Sequence, residues 1–453
     1  MRTRTAGRAA ARYRWDRLKV SFWFAPAIMA VVAVLLAWTM YWLDGIIPNE
    51  ALASSRFVLA GTSGELRTAL LGMAGTVLAT AGVVFTLLTL PLSTVAAQYG
   101  SRLLRLFLGD RTAQFVLGMF VATFVYCMAA ALSIPAINVE IESPQLTATV
   151  GLYLMLATFT TLILLVQHIS TMLQAPNIAA SAGAELRDVV DAEMASAFTG
   201  RGERAISNAK PAGQGPFDIS LESEGYALRV KESGYVQYID PDLMLAVARE
   251  KDLVIRLLHK PGHFVRSGVV VALVWPADRV DERAEGEMRD AFEIGNVRTP
   301  TQDILCAVNQ LVEMAVRAMS PAINDPFTAM TCLDHLGDGL VRFVRQGERS
   351  RQHYDREGRL RLVLEPVNFA ELVDAAFDML RHASCDNASV LLHMLAVIDV
   401  IGREAQAPAA RQLLQRHVRL IQAESQAGQL IEQDRESIHR SSEALLTKLE
   451  GAP

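Results

Sequence analysis

The chain has 453 residues, 51% hydrophobic and 20% charged, with four cysteines and a net charge of −5. It is too apolar for a disordered protein, too poor in cysteine for a disulfide scaffold and too weakly charged for a nucleic-acid binder. Residues 20–43, 68–101, 112–139 and 143–184 contain no Asp, Glu, Lys or Arg, whereas charge is frequent everywhere after 184. Charge-free apolar runs of this kind read as membrane spans, because a hydrocarbon core of roughly 30 Å takes about 20 residues of helix.

Four spans are predicted, near 20–43, 69–91, 113–134 and 149–173, so that a four-helix membrane region fills 20–173 behind a basic segment, 1–19. Lys and Arg beside span ends stay on the cytoplasmic side. Arg2, Arg4, Arg8, Arg12, Arg14, Arg17 and Lys19 precede span one, and Arg102, Arg105 and Arg111 lie between spans two and three. Only Arg56 and Arg67 lie in the first loop and none in the third, so both termini are expected to be cytoplasmic. The first apolar run reads as a retained span rather than a cleaved signal peptide. It is long, and aromatic residues bracket it, with Trp15, Phe22 and Trp23 at one end and Trp38, Tyr41 and Trp42 at the other.

Of the 43 basic and 48 acidic residues, 12 and 7 lie before residue 174, leaving a remainder with a net charge of −10. Residues 174–215 read as a connecting helix and linker. Leu186, Val189, Val190, Met194 and Phe198 recur at helical spacing, and a glycine-rich stretch follows. The period then changes to two. Phe217, Ile219 and Leu221 alternate, as do Tyr226, Leu228 and Val230; Tyr235 to Ile239, Leu253 to Leu258 and Val269 to Val274 complete a small, mainly β module over 216–275. Residues 276–453 read as a mainly helical domain. A helix capped by Thr299 with Gln302 is expected over 300–319, a second begins at Asn368 and Glu371, and further helices cover 387–403 and 408–450. RLRLVL at 359–364 reads as one strand of an intervening hairpin.

The block AMSPAINDPFTAMTCLDHL at 318–336 is the most distinctive stretch outside the spans. Ser320-Pro321 stops one helix; Asn324, Asp325 and Pro326 start the next as a structural cap, the Asp325 carboxylate accepting from exposed amides. With QYGSRLLRLFLGDRTAQFVLGMFVATFVY at 98–126, this block resembles a bacterial predicted-membrane-protein family whose defining domain has no assigned function. The resemblance covers nearly the whole chain and implies a multi-pass protein of the bacterial inner membrane; it supplies no substrate or reaction.

Other motifs carry less. Cys332 with His335 and His382 with Cys385 have the spacing of zinc ligands, but nothing in the sequence joins the two helices, and buried thiols are the expected state. PGHFVRSGVVVALVW at 261–275 looks like the hairpin of a biotinyl or lipoyl-type module without its acceptor lysine. No nucleotide loop, hydrolase elbow or metalloprotease motif is present, and no catalytic residue, metal or cofactor is expected. In span two, Gly75, Ala79 and Gly82 suggest close packing on another helix. Thr76, Thr80, Val83 and Leu87 are then left facing lipid or a pore. His168, deep in span four, is an ionisable candidate.

The expected architecture is an integral membrane protein with four transmembrane helices followed by a cytoplasmic α+β region. The expected role is a homo-oligomeric channel or transport protein with a cytoplasmic vestibule. The alternative is a membrane-anchored sensor or scaffold whose acidic domain binds a ligand or protein. The lipid bilayer and copies of the chain are the expected partners, and nucleic acid is not one. Reporter fusions after residues 50 and 140 are predicted to report the periplasm, and fusions after 105 and 200 the cytoplasm. A cytoplasmic signal at 140 removes the four-span reading.

Overall fold

A computed structural model describes residues 23–47, 57–98, 110–134, 144–172, 174–195, 225–347, 350–355 and 357–451. The basic segment 1–19, Arg102, Arg105 and the alternating Phe217, Ile219 and Leu221 lie outside the described residues. The chain divides into two compact units, Met1–Asn177 and Ile178–Pro453.

The first unit consists of four long apolar helices: α1 (Phe24–Asp44), α2 (Ser63–Gln98), α3 (Arg111–Ser133) and α4 (Gln145–Met172). Each has the length and composition to cross a membrane. Helix α2 does not stop at Pro91, as expected, but continues to Gln98. A proline inside a spanning helix frees one carbonyl, which neighbouring groups can satisfy, so the helix need not end there.

Helix α3 packs against each of the other three. The contact with α1 is so close that a Cβ on Gly118 would stand 2.4 Å from the Met29 sulfur. On α4, a Cβ at Gly151 would meet Leu70 at 2.8 Å. Small residues therefore do bring helices together here, but they are Gly118 and Gly151, with Ala33, Ala37, Ala130, Ala131 and Ala148 buried around them. The interior is filled by Leu66, Leu70, Phe120, Tyr126 and Leu165.

Helix α5 runs over Ala175–Ala195, and the second unit begins within it, at Ile178. Strands β1 (Tyr226–Arg229), β2 (Gly234–Ile239), β3 (Val254–Leu257), β4 (Phe264–Val265) and β5 (Val270–Trp275) follow, with α6 (Pro241–Glu250) after β2. Asp240 caps α6 through Leu243 N, and Pro241 occupies its first turn. Helix α7 (Glu282–Asp290) and strand β6 (Phe292–Gly295) come next, then α8 (Ile304–Ala318), α9 (Pro326–Gln346), β7 (Gln352–Tyr354), β8 (Leu360–Val363), α10 (Phe369–Ala383), α11 (Ala388–Glu404), α12 (Pro408–Ala427) and α13 (Glu432–Gly451).

The strands form two sheets, one ordered β1-β5-β3-β8-β7 and the other β4-β2-β6. Strand β8 lies parallel to β3, the other pairs being antiparallel, so the sheets are not confined to 216–275 but take in strands from 292–295 and 352–363. Charge pairing fastens β8 there. Buried Arg361 donates to Asp355 and to Asp252, and Arg361 and Arg279 hold the Asp252 carboxyl down to about 2. The lipoyl-type hairpin is not formed. Strands β4 and β5 belong to different sheets, because the chain turns at Gly268, with φ of +83°, whose amide bonds the Val230 carbonyl and redirects β5 toward β1.

Among the helices, two departures have local causes. Helix α8 starts at Asp303, which accepts from Cys306 N, rather than at Thr299; the Gln302 amide is instead paired with both backbone groups of Ile239. The segment 408–450 is two helices rather than one, because Gly428 presses so closely on the Cys385 carbonyl that a Cβ would come within 2.3 Å. The Asn387 and Asn368 side chains cap α11 and α10 in turn.

At the α8–α9 corner Asn324 adopts φ of +48°, and Asp325 accepts from the amide and the hydroxyl of Thr328. Asp325→Ala is predicted to lower stability by about 1 kcal/mol and Asp325→Asn by less, since asparagine also caps. Thermal unfolding of the solubilised chain measures this; loss of a measurable activity with unchanged folding in both variants would show that Asp325 serves function instead.

Candidate functional site

In the membrane unit, α2 has two faces. Leu66, Leu70, Ala74, Val77 and Val84 are buried and recur every three, four or seven residues, so they share one side of the helix. At 100° per residue, Gly72, Gly75, Thr76, Ala79, Gly82 and Val83 fall on the other side, where they are exposed. A Cβ added at Gly72, Gly75 or Gly82 would meet nothing within 4 Å. Among the described residues, Gly75 and Gly82 therefore pack on no other helix of this chain. Only Thr80 and Leu87, at the edge of this face, are partly covered. The hydroxyls of Thr76, Thr80 and Thr86 donate to carbonyls one turn back, at 2.9, 2.8 and 3.0 Å.

The bundle interior contains polar ties that sequence reading missed. Asp44, at the end of α1, accepts from the backbone amides of Leu146 and Thr147, both at 2.8 Å, and from the Thr147 hydroxyl at 2.5 Å. It therefore caps α4 from across the bundle. The Tyr126 hydroxyl donates to the Thr147 carbonyl, and Thr123 and Thr158 pair at 2.7 Å. At the other end His168 Nε2 lies 3.0 Å from Asp110 Oδ2, and Asp110 also caps α3. His168 is thus a tie between α4 and the start of α3.

In the second unit the most closely built polar corner surrounds the turn Lys260-Pro261-Gly262-His263. Gly262 has φ of +94° and donates to the Val236 carbonyl; a Cβ there would lie 2.2 Å from Asp303 Oδ2. Asp303 is only 1% exposed and takes a two-pronged ion pair from Arg298, at 2.8 and 2.9 Å. Lys260 pairs with Glu371 in the first turn of α10, and the rings of His259 and His263 meet edge to face. Partial burial, then Lys260 and His259, hold the His263 imidazole below the usual histidine range. Beside this turn is a cleft of about 70 Å³ with an apolar floor of Ile239, Leu257 and Leu362 and a rim of His259, Lys260 and Glu365. A wider groove of about 800 Å³ lies between the end of α9 and the start of α12, near Phe343, Phe369 and Leu413.

The cysteine and histidine pairs are engaged separately. Cys332 is buried in α9, its thiol pushed up to about 12 by that burial, and His335 lies against Gly183. His382 bonds Glu424. Among the described residues no group of three or more His, Cys, Asp or Glu could hold a metal ion.

Four apolar helices followed by a two-sheet and helical unit define an integral membrane protein with an α+β extramembrane region. The chain belongs to the predicted-membrane-protein family DUF2254, whose model matches residues 19–399. Uncharacterized proteins of Mycobacterium bovis and of Mycobacterium tuberculosis are each 25% identical over 395 residues, covering 84% of this chain and 72% of theirs. No solved structure matches the chain.

The Gly262 corner gives a direct stability test. Gly262→Ala meets both a left-handed backbone and the Asp303 carboxylate, whereas Gly268→Ala meets only the backbone term, having open space around it. The predicted losses are roughly 3 kcal/mol or more at 262 against about 1 kcal/mol at 268. Equal losses in thermal unfolding would show that the close approach to Asp303 contributes nothing.

Proposed function

We propose that the protein is a homo-oligomeric channel or transport protein of the bacterial inner membrane, with both termini cytoplasmic and the second unit forming a vestibule. The observation that carries this reading is the two-faced character of α2. The interior of a single bundle is filled by side chains, and the small, hydroxyl-bearing face of α2 is turned away from it. Glycine and threonine offer lipid little to pack against, but between copies they permit close approach and expose hydroxyls and carbonyls to water and ions. The basic residues flanking spans one and three support the orientation.

Single cysteines at 76, 79 and 83, in a chain lacking the four native cysteines, are predicted to react with a water-soluble thiol reagent in membranes and to alter conductance after reconstitution. Cysteines at 80 and 87 should react more slowly, being partly covered. If none of the five reacts while positions 98–105 do, α2 lines no aqueous path. The wide groove of the second unit then favours the alternative, a membrane-anchored sensor or scaffold.

A further inference from the structure

We propose that the packing of α5 on α9 is a proton-sensitive joint, in which neutral His335 lets α5 seat closely and protonated His335 loosens it. The contact lies within the second unit. Gly183 of α5 faces the His335 ring and Leu186 faces Gly339, while Arg187 pairs with Asp338 and Asp191 with Arg342, so the two helices run parallel. A Cβ at Gly183 would stand 2.7 Å from both Cγ and Nδ1 of His335, so the ring rests directly on the α5 backbone. Ile178, Ala179, Ala182, Leu186 and Val190 are buried along the same side of α5. Both ion pairs are well exposed and contribute little, so the hold on α5 rests on this close seating.

His335 sits where an added proton finds no acceptor. The ring is half-buried, and its nitrogens have no hydrogen-bond partner among the described residues. Arg187, one turn beyond Gly183 on α5, opposes a second positive charge. Asp334 and Asp338 on α9 favour one, but Asp338 already holds Arg187 at 3.1 Å and Asp334 holds His393 of α11 at 2.7 Å. Glu185 stands about 200° around α5 from Gly183. The buried faces of α8 and α10 carry no charged side chain. Burial first, then Arg187, hold the His335 imidazole below the usual histidine range against the pull of the two aspartates. The seated contact is therefore complete above the ordinary histidine value and is weakened as the pH falls through the depressed one.

The position of the joint gives it a consequence. The chain passes from span four, which ends at Met172, into the second unit through α5, which begins at Ala175. The segment that joins the two units is thus held less firmly in acid, whether the membrane unit conducts or only anchors. The apolar side chains buried along α5 remain, so protonation shifts the opening equilibrium of the helix rather than releasing it.

Amide hydrogen exchange of the full chain in lipid nanodiscs, read by mass spectrometry at about pH 7.5 and about pH 5 and corrected for intrinsic exchange, measures that opening. Peptides covering 178–195 are expected to lose protection several-fold at the lower pH in the native chain and in His393→Gln. They should keep it in His335→Gln and His335→Phe, which carry no titrating ring, and peptides of α11 should keep theirs throughout. Equal α5 protection at the two pH values in the native chain overturns the proposal. So does a loss that persists in a folded His335 variant, one that His393→Gln abolishes, or one shared by α11, which would be general acid unfolding. Phenylalanine keeps a ring against Gly183, so it reads the joint if glutamine disturbs folding, and each variant is compared with itself across pH.

Discussion

The carboxylate of Asp44 is the interaction on which the membrane unit depends. A spanning helix cannot leave its first amides unpaired in a medium without water, and each such group costs several kcal/mol. At the start of α4 an acceptor comes from the end of α1, where Asp44 takes two backbone amides and a hydroxyl at once. A negative charge at the C-terminal end of α1 opposes that helix's dipole, but the same charge complements the N-terminal end of α4. The bond therefore joins the two ends and fixes which turn of α1 meets α4. The Tyr126 hydroxyl on the Thr147 carbonyl holds α3 to the same turn.

With those ends fixed, packing follows. Gly118 lets α1 approach α3, and Gly151 lets α4 approach α2, until Met29 and Leu70 fill the remaining space. Among the described residues the interior of this bundle is filled by side chains, and the Gly72–Val83 face of α2 is turned away from it. The second unit obeys the same rule in water. Its buried charges are paired: Arg361 holds nearby Asp355 and reaches Asp252, distant in sequence, and Arg298 holds Asp303 at the start of α8.

The extent to which this was legible in the sequence follows the range of each interaction. Spans announce themselves by absent charge, and caps such as Asp325 and Asn368 act over three residues, so local reading finds both. The role of Asp44 depends on a partner 102 residues away, and that of His168 on one 58 residues away, so neither leaves a local pattern. Small residues in α2 and in α3 look alike in sequence; only the identity of the neighbour separates the Gly118 contact from the open face at Gly75. The strand at 360–363 was visible as a strand, but its insertion beside β3 rests on Arg361 reaching Asp252. The false hairpin at 261–275 arose because alternating valines specify a strand without specifying its partner. The break at Gly428 carried a signal in its glycine, outweighed by helical periodicity on both sides.

The central claim is that the four-helix interior is closed to water, and native Cys127 reports on it directly, being fully buried among Leu70, Tyr126 and Gly151. In native membranes containing the Cys385→Ser chain, a small charged thiol reagent should leave Cys127 unmodified until the protein is unfolded, as read by peptide mass. Modification of Cys127 in the folded protein at the rate of an exposed cysteine would mean that water enters the bundle, and the assignment of function to its outer face would fail.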